Sequence, residues 1–152
     1  SRLKKLVLLY PWTNYRNVFL SYYLKGIGRE VLYYRTSAEQ ATLTNWLQGM
    51  VDEFSNVNPN FGKNLSKIIE QSDPQALAKA LATDLGKHSK DPLVVYVDEF
   101  DKLPFDDTMA IFMRELMANL PSNVQIAVSS RLLTHQPWVE FVRRGEAVVM
   151  GT

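Results

Sequence analysis

The sequence predicts an α/β domain with three layers, in which a parallel five-stranded sheet is covered by helices on both faces. Five short runs rich in Val, Leu, Ile and Tyr have the length and composition of strands buried on both faces. Longer segments between these runs repeat apolar residues every three or four positions, which is the spacing of one helix face. Strands joined by helices in this way form right-handed crossovers, so the helices fall on both sides of the sheet.

The strand predictions rest on composition and on the residues that end each run. The predicted strands are Leu6 to Tyr10, Glu30 to Arg35, Leu93 to Val97, Val124 to Val128 and Ala147 to Met150. No apolar run is long enough to cross a bilayer. The basic residues at the amino terminus precede too few apolar residues for a signal peptide, so we expect a cytoplasmic protein that does not contact a membrane.

The helix predictions rest on apolar periodicity together with capping residues. A first helix is expected from about Tyr15 to Lys25, where glycines follow. Ser37 and Gln40 have the spacing of a capping box before the second helix, and Asp73 with Pro74 is typical of a helix start. Two apolar stripes are expected on later helices, formed by Leu43, Trp46, Leu47, Met50, Val51 and Phe54, and by Met109, Phe112, Met113, Leu116, Met117 and Leu120. Short helices are expected from Asn64 to Gln71 and near Trp138 to Arg143.

Composition limits the function classes. The 152 residues are most simply one domain over residues 1–152, and their net charge of +1 gives no sign of direct contact with nucleic acid. The absence of cysteine excludes disulfides and thiolate metal sites, and it fits a reducing compartment. Because the chain opens without Met and stops just after a predicted strand, we expect it to be part of a larger multidomain protein.

The strand that ends in Asp98-Glu99 is the strongest candidate for chemistry. Ligands of parallel sheets bind at the carboxyl ends of the strands. There Asp98 could hold a magnesium ion through water, and Glu99 could orient or deprotonate an attacking water molecule. The same two residues could instead leave the sheet for solvent and cap the next helix, and their spacing leaves both interpretations open.

A second candidate lies after the next strand, where Ser129 and Ser130 precede Arg131. A guanidinium group at this place could contact a terminal phosphate, because its planar fork matches phosphate geometry. Arg131 could equally be a surface residue near a helix start. The two serines could be hydrogen-bond partners of a ligand or turn residues, and the sequence favours turn residues.

The loop after the first strand lacks the features of a phosphate-binding loop. Such a loop needs glycines, so that successive backbone N–H groups can surround the phosphates, and it needs a lysine followed by Ser or Thr. The segment Pro11 to Val18 contains no glycine and no lysine, and bulky Trp12 and Tyr15 occupy it. The sequence therefore predicts that this loop does not surround a phosphate group as a P-loop does.

Taken in chain order, the three strand ends resemble the nucleotide-binding domain of STAND-type P-loop ATPases. The resemblance is to bacterial transcription regulators akin to the maltose activator and other LuxR-type proteins. Leu93 to Glu99 resembles the Walker B strand, and Val124 to Arg131 resembles the sensor strand with its Ser-Arg ending. Gly145 to Gly151 resembles the last strand of that domain. The resemblance spans Leu6 to Gly151 and implies a P-loop fold with strand order 5-1-4-3-2.

The resemblance also implies roles for single residues. Thr13 and Tyr15 fall where the family has glycines, which puts ATP hydrolysis in doubt. Arg16 falls on the lysine position, and Asn17 falls on the position of the magnesium-binding Ser or Thr. The implied site residues are Arg16, Asn17 and Arg131 for a vestigial phosphate site, Asp98 for magnesium if nucleotide binds, and Glu99 for catalysis if the domain is active.

Three functional hypotheses remain. The sequence favours a non-catalytic regulatory or interaction domain of a bacterial transcription regulator, without a cofactor, whose partners are other domains of that regulator or other proteins. The alternative is an ATP-binding switch, or a slow magnesium-dependent ATPase, that uses Arg16, Asp98 and Glu99. An unrelated α/β module such as a receiver domain is the third. A receiver would need acidic residues after the first strand, and Tyr10-Pro11 offers none.

Overall fold

The computed structural model describes residues 6–9, 30–40, 42–71, 73–130, 136–145 and 147–150. The chain divides into two compact units. The first comprises Ser1–Arg35, Asp91–Asp101 and Asn123–Thr152, and the second comprises Thr36–Lys90 and Lys102–Ser122. The predicted first helix, the loop from Pro11 to Val18 and Arg131 lie outside the described residues. The prediction of one domain over residues 1–152 stays a prediction.

A five-stranded parallel sheet forms the framework of the first unit. Its strands are β1 Leu6–Leu9, β2 Glu30–Arg35, β3 Leu93–Asp98, β4 Val124–Ser129 and β5 Ala147–Met150. They lie in the order β2-β3-β4-β1-β5, and each neighbouring pair is parallel. Counted from the opposite edge, this order is 5-1-4-3-2. The α/β class with a parallel sheet is confirmed, whereas the three-layer arrangement stays a prediction.

The described α-helices occur where apolar periodicity predicts them. They are α1 Leu43–Ser55, α2 Lys63–Ile68, α3 Pro74–His88 and α4 Asp107–Asn119 in the second unit, and α5 Gln136–Arg143 in the first. Two short 3-10 helices cover Ile69–Gln71 and Phe100–Lys102. No helix in the described ranges is long and apolar enough to cross a membrane.

The neighbouring inner strands β3 and β4 are buried along their whole length. Val94 and Tyr96 of β3 form one core cluster with Val7 and Ala127 of the neighbouring strands. Removing a Val or Leu side chain from water stabilises a fold by about 1.5–3 kcal/mol. Runs of this composition are therefore stable only inside the sheet. The edge strand β2 instead alternates, with Leu32 and Tyr34 buried between exposed residues.

The register of the sheet brings the carboxyl ends of the strands level. Arg35 pairs with Asp98, and Ser129 pairs with Leu9. Leu9 in turn pairs with Met150 of β5. Val97 of β3 pairs with Val128 of β4, and each is the second-last residue of its strand. The last residues, Asp98 and Ser129, therefore end neighbouring strands at the same level. These strand ends therefore form one row along a single edge of the sheet.

The start of α1 differs from the prediction. Ser37 donates its backbone N–H to Oε1 of Gln40 at 3.3 Å, but this pair closes a turn that lies before the helix. The helix cap is Thr42, whose Oγ1 accepts from the backbone N–H of Asn45 at 3.2 Å. The predicted capping box was wrong because Thr42 offers an equivalent hydroxyl five residues later, directly before the first apolar position.

The short helix α2 takes its cap from another helix. Its N-cap residue is Gly62, which has φ of 88° and no side chain to offer. The carboxylate of Asp84 on α3 replaces that cap, since it accepts from the backbone N–H groups of Asn64 at 3.1 Å and Leu65 at 2.9 Å. Asp84 is only 4% exposed, so these donors satisfy a charge that has little access to water.

The apolar stripes of α1 and α4 face the core of the second unit. Trp46 of α1 meets Phe112 of α4 edge to face, with ring centroids 6.1 Å apart. The indole N–H of Trp46 donates to Oγ1 of Thr36 at 3.2 Å, which satisfies its one buried polar group. The predicted stripe residues that are buried are Trp46, Leu47, Met50, Val51 and Phe54 of α1, Met109, Phe112, Met113, Leu116 and Met117 of α4, and Leu120 at the C-cap of α4. The predicted start of α3 is also confirmed, because the Asp73 side chain accepts from the N–H of Gln75.

Candidate functional site

Asp98 is the buried acidic residue at the carboxyl end of β3. It is 1% exposed, and both of its carboxylate oxygens accept hydrogen bonds. The hydroxyl of Tyr33 donates to Oδ2 at 2.5 Å, and the backbone N–H of Glu99 donates to Oδ1 at 3.0 Å. Burying a carboxylate without donors is very unfavourable. These two hydrogen bonds therefore explain how the Asp98 side chain can lie inside the sheet.

Tyr33 reaches Asp98 because of the sheet register. It lies on β2 opposite Tyr96 of β3, two positions before the pair formed by Arg35 and Asp98. The rings of Tyr33 and Tyr96 stack with centroids 5.5 Å apart and planes inclined by 27°. Side chains two residues apart on a strand share a face, so the ring of Tyr33 lies along the sheet toward Asp98. The stacking partner fixes the ring and hence the position of its hydroxyl.

Glu99 adopts an unusual backbone conformation at the same place. Its φ is 53°, which makes it the one non-glycine residue with positive φ among the described residues. For a residue with a Cβ, this left-handed region costs about 1–2 kcal/mol. The next residue, Phe100, is anchored against Trp138 of α5, with ring centroids 5.6 Å apart. The turn after β3 is therefore held from both sides, by Asp98 through the Glu99 amide and by Trp138 through Phe100.

The Glu99 carboxylate forms an ion pair with Arg35 at the end of β2. The hydrogen bond to Glu99 and the charge of Glu99 raise the pKa of Arg35 above its ordinary value. The Arg35 side chain is 65% exposed, so solvent screens the pair and it adds little to stability. Its consequence is local: a permanent cation lies beside the carboxylate that would have to orient or deprotonate a water molecule.

Ser129 ends β4 on the other side of Asp98. It is fully buried, and its Oγ has no hydrogen-bond partner among the residues that the structure describes. The interpretation of Ser129 as a turn residue was wrong, since it belongs to the strand and pairs with Leu9. A buried hydroxyl without a partner costs about 1–3 kcal/mol. An additional polar partner at this place along the edge would remove that cost.

The structure brings together only part of the predicted site. Asp98 and Glu99 lie at the carboxyl edge as predicted, but Asp98 is buried and does not leave the sheet for solvent. Arg16, Asn17 and Arg131 lie outside the described residues. No group of three His, Asp or Glu side chains that could hold a metal ion occurs in the described ranges.

Sequence reasoning missed Tyr33 and Arg35. The signal that could have found them is the alternation of EVLYYR, which puts these two side chains on one face of β2. Their meeting with Asp98 and Glu99 also requires that β2 be the neighbour of β3. Once the strand order is fixed, this edge holds a hydroxyl and a guanidinium beside the two carboxylates.

Among the comparisons with known proteins, only the comparison with solved structures found a similar chain. No family model matches the sequence, and no curated protein matches it. A chain in the structure of Drosophila ORC bound to AT-rich DNA and Cdc6 is similar, with a TM-score of 0.56 and 11% sequence identity. The likeness covers 96% of this chain and 47% of that one, so this chain spans about half the length of its structural neighbour. At 11% identity, this likeness shows that the two chains have a similar fold.

Proposed function

We propose that this chain is a non-catalytic P-loop ATPase-like domain that serves as a regulatory or interaction module in a bacterial transcription regulator of the STAND kind. One observation carries the proposal: the two acidic residues of the Walker B position are both engaged by side chains of β2. Tyr33 donates to Asp98, and Arg35 pairs with Glu99. The carboxylates are thereby satisfied within the protein.

The engaged carboxylates fit poorly with a magnesium and nucleotide site. A carboxylate that holds magnesium through water needs oxygen lone pairs directed at that water. Each oxygen of Asp98 already uses one of its two lone pairs for a hydrogen bond within the protein, and the charge of Glu99 is compensated by Arg35. The sequence of the loop after β1 agrees with this, because it lacks glycine and lysine. We therefore assign no catalytic step to this edge.

Calorimetric titration of the chain with magnesium-ATP tests the proposal. We expect no saturable heat up to millimolar nucleotide, either for the native chain or for Arg16→Ala. Arg143→Ala, a change at the exposed end of α5, is the matched control for loss of one positive charge. Binding in the micromolar range that Arg16→Ala weakens and Arg143→Ala leaves unchanged would replace this proposal with the nucleotide switch.

The second candidate function is that nucleotide switch, and the buried hydroxyl of Ser129 is the observation in its favour. This hydroxyl lies at the strand edge beside Asp98 and has no partner among the described residues. A bound phosphate group would supply the missing acceptor. Under this alternative, Ser129→Ala weakens magnesium-ATP binding while it stabilises the nucleotide-free chain, because it removes an unsatisfied polar group. Under our first proposal, only the stabilisation is observed.

A further inference from the structure

A groove in the second unit is lined by lysines. It lies between the carboxyl-terminal part of α3 and the end of α4, and it has a volume of about 530 Å³. Lys79 and Lys87 belong to α3, and Lys90 directly follows Ser89, the C-cap of that helix. All three lysines are exposed. The groove thus presents three ammonium groups to solvent along one side.

The positive charge of this groove is only partly compensated. Nζ of Lys79 lies 3.6 Å from Oε1 of Glu115, and 62% of the Lys79 side chain is exposed. Lys87 and Lys90 have no ion-pair partner among the residues described. Asp84, the acidic residue of α3, is buried and serves the backbone amides of α2 instead. Lys87 also complements the carboxyl end of the helix dipole, but this accounts for neither Lys79 nor Lys90.

The floor of the groove is made of small residues. Ala82 and Gly86 lie one turn apart on α3, and both line the groove. Gly86 packs closely against Pro121, since a Cβ on it would lie 3.2 Å from Cγ of that proline. The absence of a Cβ on Gly86 therefore allows Pro121 to pack against α3 and to form part of the floor. The floor is apolar, whereas the rim is cationic, and this combination suits an extended chain with acidic side chains.

The polar groups of the rim favour a peptide over a nucleic acid. Asn119 donates its amide N–H to the carbonyl and carboxylate oxygens of Glu115 at 2.8 and 3.2 Å. Its amide oxygen remains an acceptor for a peptide N–H group. Single-stranded nucleic acids are bound by aromatic side chains on which bases stack, and the lining of this groove contains none.

We propose that this groove binds an acidic segment of a partner protein, with Lys87 and Lys90 pairing with its carboxylates. The proposal rests on the interaction role proposed above and names the partner's chemistry. It is measured separately from nucleotide binding, so that either proposal can fail alone.

The test is fluorescence anisotropy with a short labelled peptide of alternating glutamate and alanine, added to the whole chain at low ionic strength. The groove variant is Lys87→Glu with Lys90→Glu. The matched control is Lys63→Glu with Lys67→Glu, which makes the same change in net charge at two exposed lysines on α2. We expect the groove variant to weaken binding at least about tenfold and the control to weaken it less than about threefold. Thermal unfolding of both variants verifies that they fold.

Three results would contradict the proposal. No binding by the native chain overturns the proposal, and so does equal weakening by the two variants, because the attraction would then follow net charge alone. A labelled oligothymidylate of the same charge is the competing probe. If it binds more tightly than the peptide and loses affinity in the groove variant, the site is for nucleic acid and the proposal is wrong.

Discussion

Replacing Tyr33 with phenylalanine removes the hydroxyl that donates to Asp98 and leaves the rest of the ring in place. The stacked contact with Tyr96 at 5.5 Å is retained, so the change isolates one hydrogen bond. A hydrogen bond to a charged group contributes about 1.5–3 kcal/mol. Tyr33 is 41% exposed, which allows water to replace part of the interaction, so we expect a loss of about 1.5 kcal/mol.

Urea denaturation followed by circular dichroism measures this loss as a lower midpoint with an unchanged slope. In thermal unfolding, a chain of this length should lose about 3–6 °C in Tm. The cost must depend on the acceptor. We therefore expect Tyr33→Phe to cost less than about 0.5 kcal/mol when Asp98→Ala is already present, which makes the coupling energy of the double-mutant cycle about 1 kcal/mol.

An equal cost of Tyr33→Phe in the two backgrounds would refute this reasoning. The hydroxyl would then stabilise the fold through some other contact, and Asp98 would not depend on β2. The observation that carries the proposed function would be lost with it, even if magnesium-ATP still failed to bind. A cost near zero in the native background would refute it as well, because the hydrogen bond to Asp98 would then not stabilise the fold.

Three further predictions concern the second unit, and each is measured as a urea midpoint. Gly62→Ala should destabilise the protein by more than about 1 kcal/mol, because φ is 88° and the new Cβ would lie 2.8 Å from Cγ1 of Val51. The control Gly49→Ala, inside α1, should stabilise it slightly. A change of the same sign for both variants would contradict the argument. Asp84→Ala should cost about 2–4 kcal/mol because it uncaps α2 and leaves buried N–H groups without an acceptor, and a cost under about 1 kcal/mol would show that water replaces the carboxylate. Asp106→Ala should cost about 1 kcal/mol through loss of the N-cap of α4, and Asp106→Ser should restore most of it.

The sheet and the helix faces were predictable because local composition determines them. The runs that form β3 and β4 are so apolar that only an inner strand can bury them, and both strands are buried along their whole length. Each strand extends one residue beyond its predicted end, to Asp98 and to Ser129, because the neighbouring strand continues the ladder past the apolar run. The cap of α1 was mispredicted because Ser37 and Thr42 offer the same local chemistry. The contact between Trp46 and Thr36, which lies ten residues away, could not be read from the local pattern.

The candidate site was predictable only up to its acidic residues. A buried run that ends in Asp98-Glu99 places two carboxylates at the sheet edge, and this part of the prediction agrees with the structure. The state of those carboxylates depends on β2, which lies more than sixty residues earlier in the chain. Tyr33 and Arg35 look like ordinary edge-strand residues until the register places them opposite β3. A pairing between residues so far apart in the chain cannot be predicted from the local sequence.

Acidic residues at the end of a buried strand do not by themselves indicate hydrolysis, and the contacts of Asp98 show why. A carboxylate that is 1% exposed must be satisfied whether or not a nucleotide binds. Here a hydroxyl from the neighbouring strand and the amide of Glu99 satisfy it, so Asp98 has a structural role in holding β2 and the turn after β3 to the sheet edge. The useful distinction between a catalytic and a structural carboxylate is therefore the group that donates to it. At this edge the donors belong to the protein, and the double-mutant cycle at Tyr33 and Asp98 measures how strongly the fold depends on them.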